Sequence, residues 1–346
     1  VNPLRLAIFH TSLPSAERKI GGVEAAVHRL ACSFADHPGV DVTVLSCDKK
    51  PAGARYGYRQ IYPFALNNRW ARLFLLPILF NFTDFRNYDV VHMHGDDWFW
   101  FWRRVPTVRT MHGSALREAQ SATRLKRKLI QYIVYPLEQL SVWLASRSVA
   151  VGRDTEKLYG CNEVVGNGVD LDKFKRRPKA AVPTIVFIGL WNGRKRGRFA
   201  YDVFVGQVLP RFPDAQLHMI SDTAIPHPNV TLHAHPDDAT LAVLLAEAWV
   251  FCYPSVYEGF GIPYIEAMAA GTAIVTSPNA GAGEVLKNGR YGVIVDDGHF
   301  AEDLLRLLDC RELRREFETR GLERAQDFSA EAIAERYLQI YRNVVQ

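Results

Sequence analysis

The chain reads as an α/β protein of two domains, each a parallel sheet with helices on both faces, and three observations carry that expectation. Its 346 residues, at about 100–200 residues per domain, make room for two domains. Short apolar runs alternate with helical patterns through both halves, which is the order that builds parallel sheets. The composition, 48% hydrophobic and 23% charged, is that of an ordinary soluble globular chain.

In the first half Leu4–Phe9 is a buried-strand run. Gly21-Gly22 then opens a helix in which Val23, Ala26, Val27, Leu30 and Phe34 recur at three- and four-residue spacing. Strands are expected at Val40–Ser46, Asp89–His94, Val105–Met111, Ser148–Gly152 and Glu163–Val165. Leu125–Leu144 is a long, mainly apolar helical stretch that Pro136 is expected to break or kink. In the second half strands are expected at Thr184–Ile188, Gln216–Ile220, Val230–His233, Val250–Tyr253, Thr272–Thr276 and Gly292–Val295, with helices over Phe199–Leu209 and Ala239–Ala248. The tail from Glu302 is helical in pattern, with Ser329 as the cap of the last helix. The polar, irregular stretch Asp172–Pro178 and Pro183 place the boundary near 170–183, giving domains 1–170 and 171–325 and a closing helix over 326–346.

No run of about twenty uncharged apolar residues occurs, the most apolar stretch, Phe74–Phe82, being too short to span a bilayer. The first residues lack the pattern of a cleaved leader. Five scattered cysteines without CxxC spacing argue against a disulfide framework or a zinc site and fit a reducing, cytoplasmic setting. Residues 1–170 hold 22 Lys+Arg against 15 Asp+Glu (+7), and the remainder 20 against 22 (−2). A basic first half suits an anionic ligand or membrane face, or is simply a solvated surface. No nucleic-acid motif accompanies it, so a nucleic-acid partner is not expected.

The most informative stretch is Tyr253-Pro-Ser-Val-Tyr-Glu258-Gly-Phe-Gly-Ile-Pro-Tyr-Ile-Glu266-Ala-Met-Ala-Ala-Gly271. A strand ends at Tyr253, Pro263 suits the opening of a helix, and Gly271 suits its left-handed close. The two-turn helix between would start at the carboxyl end of a parallel strand, where doubly wound sheets bind ligands. Gly259 and Gly261 let backbone approach a ligand, and free N–H groups at the helix start suit a phosphate or sugar hydroxyl. Glu258 in the loop and Glu266 in the helix can address different parts of one extended polar ligand.

This stretch resembles glycosyltransferase family 4, the retaining transferases of the GT-B fold, whose signature is two glutamates with seven residues between them, as at Glu258 and Glu266. The resemblance implies two Rossmann-like doubly wound domains facing a central cleft, an acceptor-binding first domain and a nucleotide-sugar-binding second one. It implies that Glu258 contacts the transferred sugar and Glu266 the nucleotide ribose, while Phe260, Gly261 and Ile262 offer N–H groups to sugar and diphosphate. The loop Gly189-Leu-Trp-Asn-Gly-Arg194-Lys195-Arg196-Gly197-Arg198 is placed for a diphosphate. Leu190 stands where many family members have an arginine, so Arg194, Lys195 and Arg196 take the phosphate role. Gly21 and Gly22 would face the donor phosphate and acceptor. His112 matches the family histidine beside the reacting carbon, and His92 and His94 could sit in the acceptor pocket. Gly166–Asp170 resembles the family's hinge and Phe328–Tyr337 its closing helix, with Ala330 in place of the usual tryptophan.

The implied reaction is retaining and needs neither a metal nor another cofactor. A UDP- or GDP-sugar is the expected donor, and a glycan, a lipid-linked sugar or a small molecule the acceptor. Asp96 and Asp97, the only carboxylates near the histidines, are a poor metal-binding pair. A nucleotide-sugar epimerase or hydrolase on the same fold and a non-catalytic basic nucleotide-binding protein are the alternatives. The aromatic block Trp98–Trp102 with Arg103-Arg104, and the Arg124–Lys128 run, suit either packing or a peripheral contact with the inner membrane face.

Overall fold

The structure, a computed structural model, describes residues 3–15, 21–122 and 125–346. It divides into two compact units, the first holding the residues up to Gln120, Leu125–Gly168 and Ala330–Gln346, the second Val169–Ser329.

Unit 1 is built on seven strands, β1 (Leu4–Phe9), β2 (Val40–Ser46), β3 (Gly57–Gln60), β4 (Val90–Met93), β5 (Thr107–Met111), β6 (Arg147–Ala150) and β7 (Glu163–Val164). They lie in the order β3-β2-β1-β4-β5-β6-β7, every neighbouring pair parallel. Its helices are α1 (Gly22–Ala35), the single turn α2 (Leu76–Leu79), α3 (Ala115–Ser121), α4 (Leu125–Leu144) and α5 (Arg153–Tyr159). Unit 2 has β8 (Thr184–Ile188), β9 (Gln216–Ile220), β10 (Val230–His233), β11 (Val250–Tyr253), β12 (Ala273–Thr276) and β13 (Val293–Ile294), ordered β10-β9-β8-β11-β12-β13 and again wholly parallel. Its helices are α6 (Gly197–Val203), α7 (Asp238–Glu247), α8 (Ile262–Ala269), α9 (Ala280–Val285), α10 (Phe300–Asp309) and α11 (Arg311–Gln326). The final helix, α12 (Ala330–Val345), returns to unit 1. There Ile333, Tyr337, Leu338 and Tyr341 join Val27, Leu30 and Phe34 of α1 in one buried cluster.

In each sheet the chain builds outward from a central strand one way and then reverses, so the loops leaving β1 and β4, and those leaving β8 and β11, diverge. That divergence opens a crevice at the carboxyl ends of the strands. Burial on both faces explains why the strands read as apolar runs: β4, β5, β11 and β12 are buried at every residue.

Three sequence expectations differ from what forms. The edge strand β3 was missed because Gly-Tyr-Arg-Gln is polar and largely exposed. Pro136 does not break α4, which runs unbroken through it. The proline lies on the exposed side, where a carbonyl that loses its partner can turn to water. The Phe199–Leu209 helix forms as α6 followed by one wide turn over Phe204–Val208. The 98–102 block, open in sequence to packing or to surface contact, is a loop that does both. Trp98 and Trp100 are buried, the indole N–H of Trp98 donating to the Leu73 carbonyl at 2.7 Å, whereas Phe101 and Trp102 are exposed. Arg124 lies outside the described residues, and Leu125–Lys128 form the first turn of α4.

The same loop carries Asp97, fully buried between two buried guanidiniums, Arg103 at 2.9 Å and Arg109 at 3.1 Å, with the Ser141 hydroxyl donating to it at 2.6 Å. Removing the carboxylate strands two buried cations, a change that costs about 3–5 kcal/mol. Asp97→Ala is therefore expected to lower the urea unfolding free energy by about that amount, and a loss within about 0.5 kcal/mol, the range of a plain surface change, would contradict the buried pairing.

Candidate active site

In unit 2 the chain leaves β11 at Tyr253 and reaches α8 through a loop that turns Glu258 inward. Gly261 caps α8 at φ +91°, and a Cβ there would come within 2.3 Å of the Tyr264 ring, so only glycine fits this turn. Pro263 lies in the first turn and Gly271, at φ +68°, follows the last. Glu258 is almost wholly buried, yet one oxygen, Oε1, accepts from the Tyr253 hydroxyl at 2.8 Å and the Ser255 hydroxyl at 2.8 Å and lies 2.8 Å from Arg194. Burial raises its pKa, but Lys195, Arg194 and the two hydroxyls together outweigh burial and leave it below the usual value, so the carboxylate is charged. Arg194 also donates to the Tyr257 carbonyl, and Val256 N–H donates back to Arg194 at 2.9 Å. The loop after β8 and the loop after β11 are thereby stitched together across the switch point.

Lys195 lies with its ammonium 5.0 Å from the centre of the Tyr253 ring. Its seat depends on Gly189, where a Cβ would come within 2.6 Å of the Lys195 stem. Arg196, a residue expected at the phosphates, has partners within the protein. In a left-handed conformation at φ +55°, its guanidinium is held by both oxygens of Asp297 (2.6 and 2.8 Å), the Pro254 carbonyl (2.7 Å) and the Ser277 hydroxyl (2.6 Å). Leu190 is half exposed on the loop. Glu266 is buried on the first turns of α8, Phe260 packs edge-on against Phe328 at 5.6 Å, and Ile262 is the first residue of the helix. Asn279 was missed by the sequence reading. Its amide donates to the carbonyls of Ser255 and Ser277 and to the Tyr264 hydroxyl, while Gly281 N–H donates to the Glu258 carbonyl at 3.0 Å, so the start of α9 braces the Glu258 loop. An Asn-x-Gly after a strand is too common a pattern to have flagged it.

In unit 1 the predicted histidines gather at the carboxyl ends of β4 and β5. His94 Nδ1 and His112 Nε2 are 2.8 Å apart, and the His92 and His94 rings lie 4.0 Å apart. His92 is bonded on both nitrogens, to the Tyr341 hydroxyl at 2.6 Å and the Thr110 hydroxyl at 2.7 Å, which places it in the packing of α12 rather than in an open pocket. Burial first, and neighbouring cations and imidazoles second, push His92 and His94 well below the usual value and His112 down to about 3, so all three are neutral. His10, Thr110, Tyr337 and Tyr341 belong to this group and carried no sequence signal. Gly21 caps α1, and its N–H donates to the Glu24 carboxylate at 2.8 Å, an internal partner for a group expected to face a ligand. Gly22 begins the helix. Among the described residues no three His, Cys, Asp or Glu side chains form a group that could hold a metal ion. A concavity of unit 2, about 680 Å³ and lined by Arg176, Arg177, Lys179, Trp249, Arg311 and Arg314 among others, contains none of the predicted site residues.

Two doubly wound parallel sheets are the architecture of the GT-B fold. Residues 20–173 match the model "Glycosyltransferase Family 4" and residues 214–324 the model "Glycosyl transferases group 1". The phosphatidyl-myo-inositol mannosyltransferase of Mycobacterium leprae is 25% identical over 283 residues, 75% of this chain and 74% of that protein. The MMP alpha-(1->4)-mannosyltransferase of Mycolicibacterium hassiacum is 39% identical over 266 residues, 70% of this chain and 60% of that one. Sucrose-phosphate synthase from Thermosynechococcus elongatus has the same fold at 19% identity, with 99% of each chain covered and a TM-score of 0.78. HepE of Anabaena, in complex with UDP and glucose, does so at 14% identity, with 98% of this chain and 99% of that one covered and a TM-score of 0.74. These matches support a GT-B protein of the glycosyltransferase family 4 type, and the chain is a glycosyltransferase.

Because the folded pKa of Glu258 lies below its unfolded one, the stability it contributes is full above the ordinary value of 4.5 and disappears as pH falls through the folded pKa. The stability gap between wild type and Glu258→Gln is accordingly expected to be widest above pH 4.5 and to close on further acidification, read from urea midpoints across the acid range. A gap independent of pH would mean that the carboxylate is not charged in the fold.

Proposed function

We propose that this enzyme moves a sugar from a nucleoside-diphosphate sugar to an acceptor hydroxyl with retention of configuration and without a metal. The observation that carries the reading is the gathering of Arg194 and Lys195 on the buried Glu258 carboxylate, in the loop that leads into α8. A diphosphate placed at these two cations and at the N–H groups of Phe260, Gly261 and Ile262 has its charge met on several sides. Glu266, on α8, is the acceptor for the ribose hydroxyls, and Glu258 for a hydroxyl of the transferred sugar. In unit 1, His112 meets the sugar near its anomeric carbon, and Gly21 and Gly22 open the helix that faces the acceptor. UDP and GDP are the favoured nucleotides. HepE of Anabaena was crystallised with UDP-glucose, and several relatives are mannosyltransferases.

In the reaction, the bond from the anomeric carbon to the leaving phosphate oxygen breaks, the acceptor oxygen bonds to that carbon on the same face, and the acceptor proton passes to the leaving phosphate. Negative charge grows on the phosphate, so the groups that matter are those already fixed around it. One such preorganised donor is typically worth about 10²–10³ in rate. The acceptor is a glycan, a lipid-linked sugar or a small molecule. A relative that acts on phosphatidyl-myo-inositol favours a lipid-linked one. Peripheral membrane contact through unit 1 fits this acceptor: Trp70, Phe82, Trp102, Leu129, Ile133 and Trp143 are exposed, the last three on α4, whose first turn carries Lys126, Arg127 and Lys128. Among the described residues no helix is long and apolar enough to cross a membrane.

Calorimetry with UDP and GDP on wild type and Glu266→Ala tests the donor reading. Wild type is expected to bind one of them, and Glu266→Ala to lose most of that affinity; equal binding by both would remove Glu266 from the site. With the matching nucleotide sugar, Lys195→Ala is expected to lower kcat by about 10²–10³, and an unchanged kcat would place the phosphate elsewhere.

A further inference from the structure

The contact between His94 and His112 has a chemical consequence. Each imidazole is neutral, and a neutral imidazole carries one proton on two nitrogens. With His94 Nδ1 facing His112 Nε2 at 2.8 Å, one nitrogen must donate and the other accept. If His94 Nδ1 holds the proton, His112 has its own on Nδ1, and that nitrogen is a donor. If His112 Nε2 holds it, His112 Nδ1 is bare and is an acceptor. The tautomer of one ring therefore dictates the other.

His94 is held in place on both sides. Its backbone N–H donates to the Phe9 carbonyl of β1 at 3.1 Å. Its ring packs against that of His92, which is fixed on both nitrogens by Tyr341 and Thr110, and Thr110 is bonded in turn to the Tyr337 hydroxyl at 3.0 Å. The row is thus anchored on α12. His94 Nε2 is buried without a hydrogen-bond partner, and His112 Nδ1 is buried with the Asn167 side chain beside the ring, an interaction that favours a proton on His112. His94, His112, Asn167 and Tyr337 also line a cavity of about 20 Å³, room for about one water molecule.

We infer that His94 is a positioning residue for His112, orienting its ring and deciding whether Nδ1 donates or accepts. This rests on the reading of His112 as the group that meets the transferred sugar. A sugar oxygen approached by a donor and one approached by an acceptor settle in different places, so the choice made at His94 reaches the reacting carbon without His94 touching it.

The test is long-range ¹⁵N–¹H NMR of the histidine rings in the unliganded protein, combined with donor kinetics. His94→Leu removes the bond; His94→Asn restores an amide at the place of Nδ1; His94→Gln moves the amide to the place of Nε2. Wild type and His94→Asn are expected to show one and the same His112 tautomer, whereas His94→Leu and His94→Gln show the other tautomer or a mixture. kcat/KM is expected to fall about tenfold in the latter pair, the worth of one hydrogen bond, and to return in His94→Asn. A His112 tautomer that does not respond to any of the three substitutions overturns the inference even if activity falls, because His94 would then only fill space. If His94→Leu does not fold, the Asn and Gln variants decide by the same criterion. The spectra need no turnover: a wild type that transfers no sugar would sink the proposed function while leaving this question answerable.

Discussion

A carboxylate can stay charged inside a protein only if cations and hydrogen-bond donors replace the water it loses, and the site of unit 2 is arranged around that requirement at Glu258. Tyr253 closes β11, Ser255 lies in the loop, and Arg194 and Lys195 arrive from the loop after β8; each serves the same buried group. These elements come from two strands that are neighbours in the sheet but far apart in the chain. The ion pair therefore fixes the mouth of the switch point, and Asn279 and Gly281 secure the loop from the side of α9. Phosphate-sized negative charge arriving there would meet cations already concentrated and held, which is the form of electrostatic preorganisation that lowers a barrier.

Unit 1 solves a different problem with the same topology. Beside the Asp97 cluster its strand ends carry a row of imidazoles, and burial keeps them neutral. A neutral ring contributes direction instead of charge, so its value lies in which nitrogen bears the proton. That is why hydroxyls from α12, a helix that joins unit 1 only at the end of the chain, are bonded to His92 and Thr110. The switch point of unit 2 gathers two cations on one carboxylate, whereas the histidines of unit 1 form a row of oriented, uncharged rings.

How much of this was legible depended on whether the deciding partner lay near in sequence. Strands buried on both faces announce themselves as apolar runs, and the 253–271 stretch declares its strand, loop and short helix through Pro263, Gly261 and Gly271, because those residues act on their own backbone. Partners from remote segments gave no such sign. Nothing near Arg196 in the sequence announces Asp297, 101 residues away, which holds it by both oxygens. His92 reads as a pocket residue until Tyr341, 249 residues away, appears on its ring. Pro136 reads as a break because the sequence does not say that its side of α4 is wet. The polar edge strand β3 had no apolar face to advertise, and the 98–102 block split into buried and exposed halves according to the loop's path rather than any helical period.

The charge count illustrates the same limit. The first half carries the excess of cations, yet Arg5 is bonded to Asp89, Arg86 to Asp84, Arg117 to Asp154, and Arg103 and Arg109 share Asp97. These pairs take up carboxylates as well as cations, so most of the excess stays on other side chains, Lys126 and Lys128 on the first turn of α4 beside exposed Leu125 and Leu129 among them. The second half is negative in sum, but it is there that Arg194 and Lys195 face a single buried carboxylate. Net charge describes the solution behaviour of a chain; binding an anion depends on where cations are held without enough local carboxylate to quench them. In this molecule the acidic half meets that condition at its switch point, and the sign of the whole domain gives no hint of it.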